Sequence, residues 1–399
     1  MKKFEPIFYY MSLSNMLFFL GNSFFILLPV YFKSLGATET YIGFMNNIDK
    51  AFMIATALSL GSLIYGRDRV QLLRYGYAIL LITYCSYLFI GSLTWYIPMI
   101  RIIHGIGFSI AMIVGSTIVF ENVSSGDATE AIGIYGVTGS ISNAVSTAIG
   151  EYLLSRGNSF QLIFILAIVC ILASLFFTLL IPRKPVKDEE AKDPAHSSSW
   201  SLLKNYNFLM YSLAAFIFGG GFGVLITFFP NFIRTATTLN YSYFFIIYIG
   251  MLIFIRLVFM QVVGLMNKNL LVLIVFLIGA LMNILMNWLD SLLLLVIVSL
   301  LYGIIHGILY PVLNAHLVNI VPISDRGRAN ALFSAIFNGG MLVFACGLGY
   351  VIDYFRTYLA AFNFCGAAFV VASVLIALVQ KKHAREISEK KEGIEPVIY

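Results

Sequence analysis

Seven ionisable side chains lie inside long apolar runs of this chain: Asp49, Lys50, Arg101, His104, Arg256, His306 and His316. In hydrocarbon such a group costs about 2.5–3.5 kcal/mol on insertion scales, so each is expected to face a partner or a water-filled passage. Asn22, Asn46, Asn47, Gln261, Asn314 and Asn338 add neutral hydrogen-bonding capacity. Asn46, Asp49, Lys50 and Met53 fall at three- and four-residue steps, which places them on one stripe of a helix. Arg101 and His104 share a second stripe, one turn apart. Asp49 is the one acidic residue well inside the first half of the chain, and so the expected counter-ion of Arg101. Such groups can hold a polar solute or pass a proton, the latter suiting histidine, which titrates near neutral pH. The candidate binding or coupling set is therefore Asn22, Asn46, Asp49, Lys50, Arg101, His104, Arg256, His306, Asn314 and Asn338. Plainer roles remain open. Arg101 can be a structural ion pair or an anchor for backbone carbonyls. His104 and His306 can pack against Gly105 and Gly307 at helix crossings. Arg256 can bind an anion or snorkel to the membrane face. His316 is expected at the interface, and Glu151 and Asp290 in solvent at helix ends.

These residues need elements to position them. Of 399 residues, 60% are hydrophobic and 11% charged, too few charges for a soluble protein of this size. The apolar runs are about 20 residues long, enough to cross the bilayer as helices. The alternating polarity of a membrane β-barrel is absent. Twelve spans are predicted at 8–32, 41–65, 71–92, 94–119, 131–153, 160–182, 207–233, 241–265, 269–288, 291–319, 329–352 and 357–380. The run after Met1-Lys2-Lys3 is too long for a signal peptide. Residues 183–206 form a polar linker with Pro185, Asp188-Glu189-Glu190 and Ser197-Ser198-Ser199. The predicted units are thus a six-helix bundle (1–182), the linker (183–206), a second bundle (207–380) and a charged tail (381–399). Alternate loops collect Lys2, Lys3, Arg67, Arg69, Lys268, Arg326, Arg328, Lys381 and Lys382 on one side, against Lys33, Arg156, Arg234 and Arg356 on the other. Basic loops stay inside, so both termini and the linker are expected in the cytoplasm, in a membrane of the bacterial plasma (inner) type.

The two bundles repeat. I-I-H-G-I occurs at Ile102–Ile106 and again at Ile304–Ile308, 202 residues on. Pro29 to Lys33 and Pro230 to Arg234 match at 201, and Gly61/Gly76 and Gly264/Gly279 at 203. Six spans per half means both halves start on the same side, so the repeats are parallel. Carriers built in this way bind solute between the halves near the midplane and rock to alternate access.

Arg101-Ile102-Ile103-His104-Gly105-Ile106-Gly107 resembles the R-x-x-Q-G-x-G motif of the major facilitator superfamily, with His104 in the Gln place. Leu27 to Gly43 resembles its first helix and outer loop, and Asp325-Arg326-Gly327-Arg328-Ala329 its loop before helix 11. The resemblance spans nearly the whole chain and points loosely to the drug–proton antiporter branch. It implies an all-α membrane protein of twelve transmembrane helices in two parallel six-helix repeats. It also implies a part for Arg101 in coupling or recognition. Two motifs depart from the pattern. Gly61, Leu63 and Arg69 fit the loop after helix 2, but Tyr65 stands where Asp belongs. Helix 5 carries Ser142, Ser146, Thr147, Gly150 and Glu151 where the antiporter branch has glycines and a proline.

Lys50, Arg101 and Arg256 against Asp49 leave a net charge of +2 if all four face the passage, which favours anions over cations. The expected function is secondary active transport of a small neutral or anionic organic solute, with protons as coupling ion. The alternatives are a proton-driven multidrug or metabolite exporter and, remotely, a non-transporting sensor. No nucleophile–base pair, phosphate loop or Cys/His ligand cluster is evident, so neither catalysis nor a metal or cofactor is expected. Cys85, Cys170, Cys346 and Cys365 read as packing residues. Nucleic acid and an obligate protein partner are not expected; the lipid bilayer is.

Overall fold

The computed structural model describes residues 4–64, 67–123, 128–182, 199–259, 266–322 and 325–392. Lys2, Lys3, Tyr65, Gln261, Gly264 and the linker over 183–198 lie outside the described residues, as do the side chains of Leu63, Lys382, Arg385, Lys390 and Lys391. The described residues form twelve long helices: α1 (Pro6–Ser34), α2 (Glu39–Ile64), α3 (Arg69–Tyr87), α4 (Ile97–Glu121), α5 (Ala128–Ser155), α6 (Phe160–Leu179), α7 (Tyr206–Ala236), α8 (Tyr241–Phe259), α9 (Lys268–Trp288), α10 (Leu292–Ile320), α11 (Arg326–Phe355) and α12 (Tyr358–Glu392). Among the described residues, nine are long and apolar enough to span by composition alone. The other three are α2, α3 and α5. α2 carries Asp49 and Lys50, α3 opens on Arg69, Gln71 and Arg74, and α5 is rich in Ser, Thr and Gly.

Local chemistry sets the ends. Asp68, Asn205, Asn240, Asn267 and Ser291 accept hydrogen bonds from first-turn amides of α3, α7, α8, α9 and α10. Inside α1 the backbone tightens to a 3-10 turn at Phe24–Leu27, just before Pro29, which brings no N–H and whose ring crowds the preceding turn. Gly36 and Gly157 take positive φ in the turns after α1 and α5, where each helix closes with a backbone bond from the second residue past its end. Arg356 adopts φ 56° after α11, a conformation that costs a side chain more than glycine. The apolar span of α12 ends near residue 380, but the helix runs on through the charged tail to Glu392.

The repeat appears in the packing. α1 packs on α5 as α7 does on α11, α2 on α4 as α8 on α10, and α3 on α6 as α9 on α12. These crossings need small residues, because without a hydrophobic drive between helices in lipid, close backbone approach supplies the attraction. A Cβ added to Gly219 would sit 2.1 Å from the Phe337 carbonyl oxygen, and one at Gly340 2.0 Å from that of Phe216. At the α1–α5 crossing, serines stand where the antiporter branch has glycines, and they bond across it. Ser142 Oγ donates to the Met16 carbonyl at 2.7 Å, and Ser146 Oγ to that of Leu20 at 2.6 Å.

The halves meet where α2 packs on α11 and α7, α5 on α8, and α1 on α7. The tightest approach is α2 against α11. A Cβ on Gly43 would be 2.2 Å from the Ala345 oxygen, and one on Gly349 2.5 Å from the Glu39 oxygen.

Gly340→Val is expected to destabilise the detergent-solubilised protein by about 1–3 kcal/mol or more through overpacking. Gly91→Ala, at an exposed glycine with nothing within 4 Å, is expected to leave the thermal midpoint unchanged. Equal midpoints for the two variants would show that the α7–α11 crossing does not depend on a bare backbone.

Candidate functional site

The site is built on the crossing of α2 and α4. A Cβ on Gly105 would lie 2.3 Å from the Asp49 carbonyl oxygen, so the two helices touch backbone to backbone. One turn away Arg101 lies flat along α2. Its Nε donates to the Met45 carbonyl at 2.8 Å and its Nη2 to the Asn46 carbonyl at 2.8 Å. Nη2 also lies 2.9 Å from Asp49 Oδ2, and Nη1 is 3.4 Å from the Tyr87 hydroxyl. The planar guanidinium suits this forked contact, which an ammonium cannot make. Arg101 is thus both ion pair and carbonyl anchor.

Lys50 Nζ donates to the same Asp49 Oδ2 at 2.9 Å. The other oxygen, Oδ1, is buried and has no hydrogen-bond partner. Arg101 and Asp49 are almost wholly buried, whereas the Lys50 side chain keeps 20% of its exposure. His104 Nε2 sits 2.9 Å from Asn22 Oδ1; with that oxygen as acceptor, Nε2 carries the proton. Its Nδ1 is then an acceptor, buried and unpartnered. Asn46 and Asn47 both donate to Thr227 Oγ1 of α7, at 3.1 and 2.9 Å, and tie the site to the second half.

Asn22, Asn46, Asn47, Asp49, Lys50, Arg101 and His104 line one cavity, with about 530 Å³ of empty volume, its open mouth included. Phe25, Ile26, Met53 and Phe108 complete the first half's share, and Ile226 and Met341 face them from the second half. Four other candidates lie elsewhere. Arg256 is exposed on a π-helical turn of α8 (Ile255–Phe259) and interacts electrostatically with His306, Tyr248 and Tyr310 rather than with Asp49. His306 Nδ1 pairs with the Tyr248 hydroxyl at 2.5 Å. Asn314 donates to Asn330 at 2.8 Å, and Asn338 to its own helix at the Ser334 carbonyl. His316 stacks on Tyr211 with centroids 4.4 Å apart. With Arg256 absent from the lining, the cavity's fixed charge is Lys50 and Arg101 against Asp49, or +1 rather than +2.

The repeat breaks at the site. Gly303 stands 202 residues on from Arg101, and a Cβ there would lie 2.6 Å from Met251 Cβ and 2.8 Å from the Tyr248 oxygen. The crossing that the first half makes with a guanidinium, the second half makes by direct contact.

A second polar cluster closes the seam at the end of the molecule bearing the α1–α2 turn. Asp353, at the end of α11, accepts from the Glu39 and Thr40 amides at 2.9 and 2.7 Å and from the Thr40 hydroxyl at 2.5 Å. A carboxylate of one half thus caps the N-terminus of a helix of the other, where the helix dipole favours it. Glu39 is buried, bonded to the Tyr358 hydroxyl and paired with Lys33 at 2.6 Å. Glu151, expected in solvent, is buried instead and paired with Arg234 at 2.6 Å, because α5 ends against α7 and α8 rather than in water. Asn231 Nδ2 adds a bond to the Pro29 carbonyl at 3.3 Å. Neither Asp353 nor Thr227 was marked by the sequence, since an acid at a helix end and a lone threonine carry no motif.

Arg101→Met is expected to cost about 3–5 kcal/mol, because it leaves the Asp49 carboxylate buried without its main partner. Arg101→Lys is expected to recover less than half of that, lacking the fork to two carbonyls. Thermal unfolding in detergent measures both; a fully restored Arg101→Lys would reduce the contact to simple charge pairing.

The Major Facilitator Superfamily profile matches residues 11–289 and 265–398. Among solved structures, the nucleoside transporter NupG is 14% identical with a TM-score of 0.82, covering 94% of this chain and 100% of its own. The human organic anion transporter MFSD10 (TETRAN) is 15% identical with a TM-score of 0.66, covering 93% and 100%. A mutant of the peptide transporter POT, in complex with sulfate, is 12% identical with a TM-score of 0.76, covering 95% and 94%. No curated protein sequence matches. A profile match along nearly the whole length, joined to a fold of two repeated six-helix bundles meeting over a polar cavity, places this integral membrane protein in the Major Facilitator Superfamily of transporters.

Proposed function

We propose that the protein carries a small organic solute, neutral or anionic, by alternating access, with Asp49 as the group that couples transport to protons. The observation that carries this reading is Asp49 itself. It is a buried carboxylate on the cavity wall with one oxygen shared by Lys50 and Arg101 and the other free. Taking a proton on Asp49 removes the one negative charge among the lining residues and releases Lys50, the most exposed of the three charges. The cavity then rises from +1 to +2, so a proton and an anion enter together more readily than either alone. Net positive charge in a low-dielectric cleft disfavours cationic drugs. The solutes named for the structural neighbours, nucleosides, organic anions and peptides, fit a small polar organic load.

The distribution of basic loops supports a cytoplasmic linker and cytoplasmic termini. The Asp353–Glu39 and Glu151–Arg234 contacts then close the outer side, and the cavity faces inward. On this reading Asp353 holds the outer gate.

In proteoliposomes, saturable uptake of organic anions or neutral polar solutes is expected, and Asp49→Asn is expected to abolish the stimulation by an inward proton gradient while leaving exchange down a solute gradient. Saturable transport confined to a lipophilic cation such as tetraphenylphosphonium would overturn the charge argument. Undiminished proton-driven uptake in Asp49→Asn would remove Asp49 from coupling. For the gate, Asp353→Asn removes a charge-assisted cap of about 1 kcal/mol, so the outward-open population should rise about fivefold. Spin labels at exposed positions 34 and 356 would read it, and an unchanged distance distribution would deny Asp353 that role.

A further inference from the structure

The cavity's polar groups come from α1, α2 and α4, while the wall facing them is apolar and, one turn further from the closed end, aromatic. Ile226 on α7 and Met341 on α11 line the cavity. Phe222 and Phe337 are four residues before each, on the same helix faces and one turn nearer the open end. They lie together, with ring centroids 5.7 Å apart. His306 adds a ring 4.7 Å from Phe222, and Tyr310 one 5.3 Å from Phe337. Phe222, His306 and Tyr310 are half-buried, so part of each ring stays open. Across the passage Phe108 lines the cavity, also half-buried, one turn of α4 beyond His104.

At the repeat position of the Arg101 anchor the second half has direct helix contact at Gly303, while His306 and Tyr310, 202 residues on from His104 and Phe108, keep rings on this side as well. A saturated solute would gain little from the faces of these rings, because it has no π-system to stack on them. A flat unsaturated ring gains stacking and edge contacts on both sides. Its polar substituent then meets the Lys50 ammonium, the most exposed charge of the cavity, beside the buried Asp49 and His104 side chains.

We infer that the transported solute contains a planar aromatic ring, held between Phe108 of the first half and the Phe222–Phe337 wall of the second, with a hydrogen-bonding or anionic substituent at Asp49 and Lys50. This rests on the transport reading above and narrows its substrate class.

The test uses two matched pairs in proteoliposomes of the full chain: 4-hydroxybenzamide against 4-hydroxycyclohexanecarboxamide, and 4-hydroxybenzoate against 4-hydroxycyclohexanecarboxylate. At least one aromatic member is expected to be transported with a KM about tenfold or more below that of its saturated partner. Phe222→Leu and Phe108→Leu are expected to raise the aromatic KM about fivefold and the saturated member's KM far less, so that most of the discrimination is lost while transport persists. A melting temperature within the wild-type range for each variant separates this from misfolding; if either variant fails to fold, the matched pairs on the wild-type protein decide alone. Saturated members carried as well as aromatic ones would overturn the ring while leaving the transport reading standing. No flux of any of the four would overturn both.

Discussion

A charge in the hydrocarbon must be neutralised or wetted, and at Arg101 the contact with Asp49 and α2 meets that demand. The guanidinium is satisfied by one carboxylate oxygen, two backbone carbonyls and a tyrosine hydroxyl. It therefore fixes the register of α2 against α4 as firmly as a packed side chain would. The bare backbone of Gly105 makes the approach possible, and the approach brings Lys50, Asn46 and Asn47 round to face α7 and the cavity. Remove the pairing and the remaining charges have no reason to converge.

α2 is consequently the helix that both halves share. It is anchored to its own bundle through Arg101, to α7 through Thr227, and to α11 through the Gly43–Ala345 and Glu39–Gly349 approaches. Four of the cavity's polar groups, Asn46, Asn47, Asp49 and Lys50, sit on the same helix as the contacts that close the seam. The Asp49–Arg101 pairing and the fit of α2 against α11 are thus properties of one rigid element. A two-state equilibrium of the halves has a mechanical path to follow here, without any longer chain of contacts.

Much of this was legible in the sequence because the physics was one-dimensional. Runs of about 20 apolar residues mark spans, and the observed helices begin and end within a few residues of most of those expected. The stripe Asn46, Asp49, Lys50, Met53 and the pair Arg101, His104 declared their faces by spacing, and all six line the cavity. What spacing does not reveal is which face of a helix meets which neighbour. Arg256 has the same composition-level credentials as Arg101, but it stands on a π-helical turn that leaves it at the surface of α8. Glu151 was expected in solvent at a helix end, and it is a helix end, but one that abuts the opposite bundle, as does the unmarked Asp353. That information lies in the packing of one repeat on the other, which the repeat itself does not encode.

The cap that Asp353 places on α2 has a thermodynamic corollary. The Glu39 and Thr40 amides have their acceptor in the other bundle, so any movement that parts the bundles at that end bares two main-chain donors. Water must replace the carboxylate at once, since an unmet amide there is costly. Separation of the two bundles and wetting of that helix end become a single event, and solutes that draw water away from the surface, such as sucrose, should hold the molecule shut.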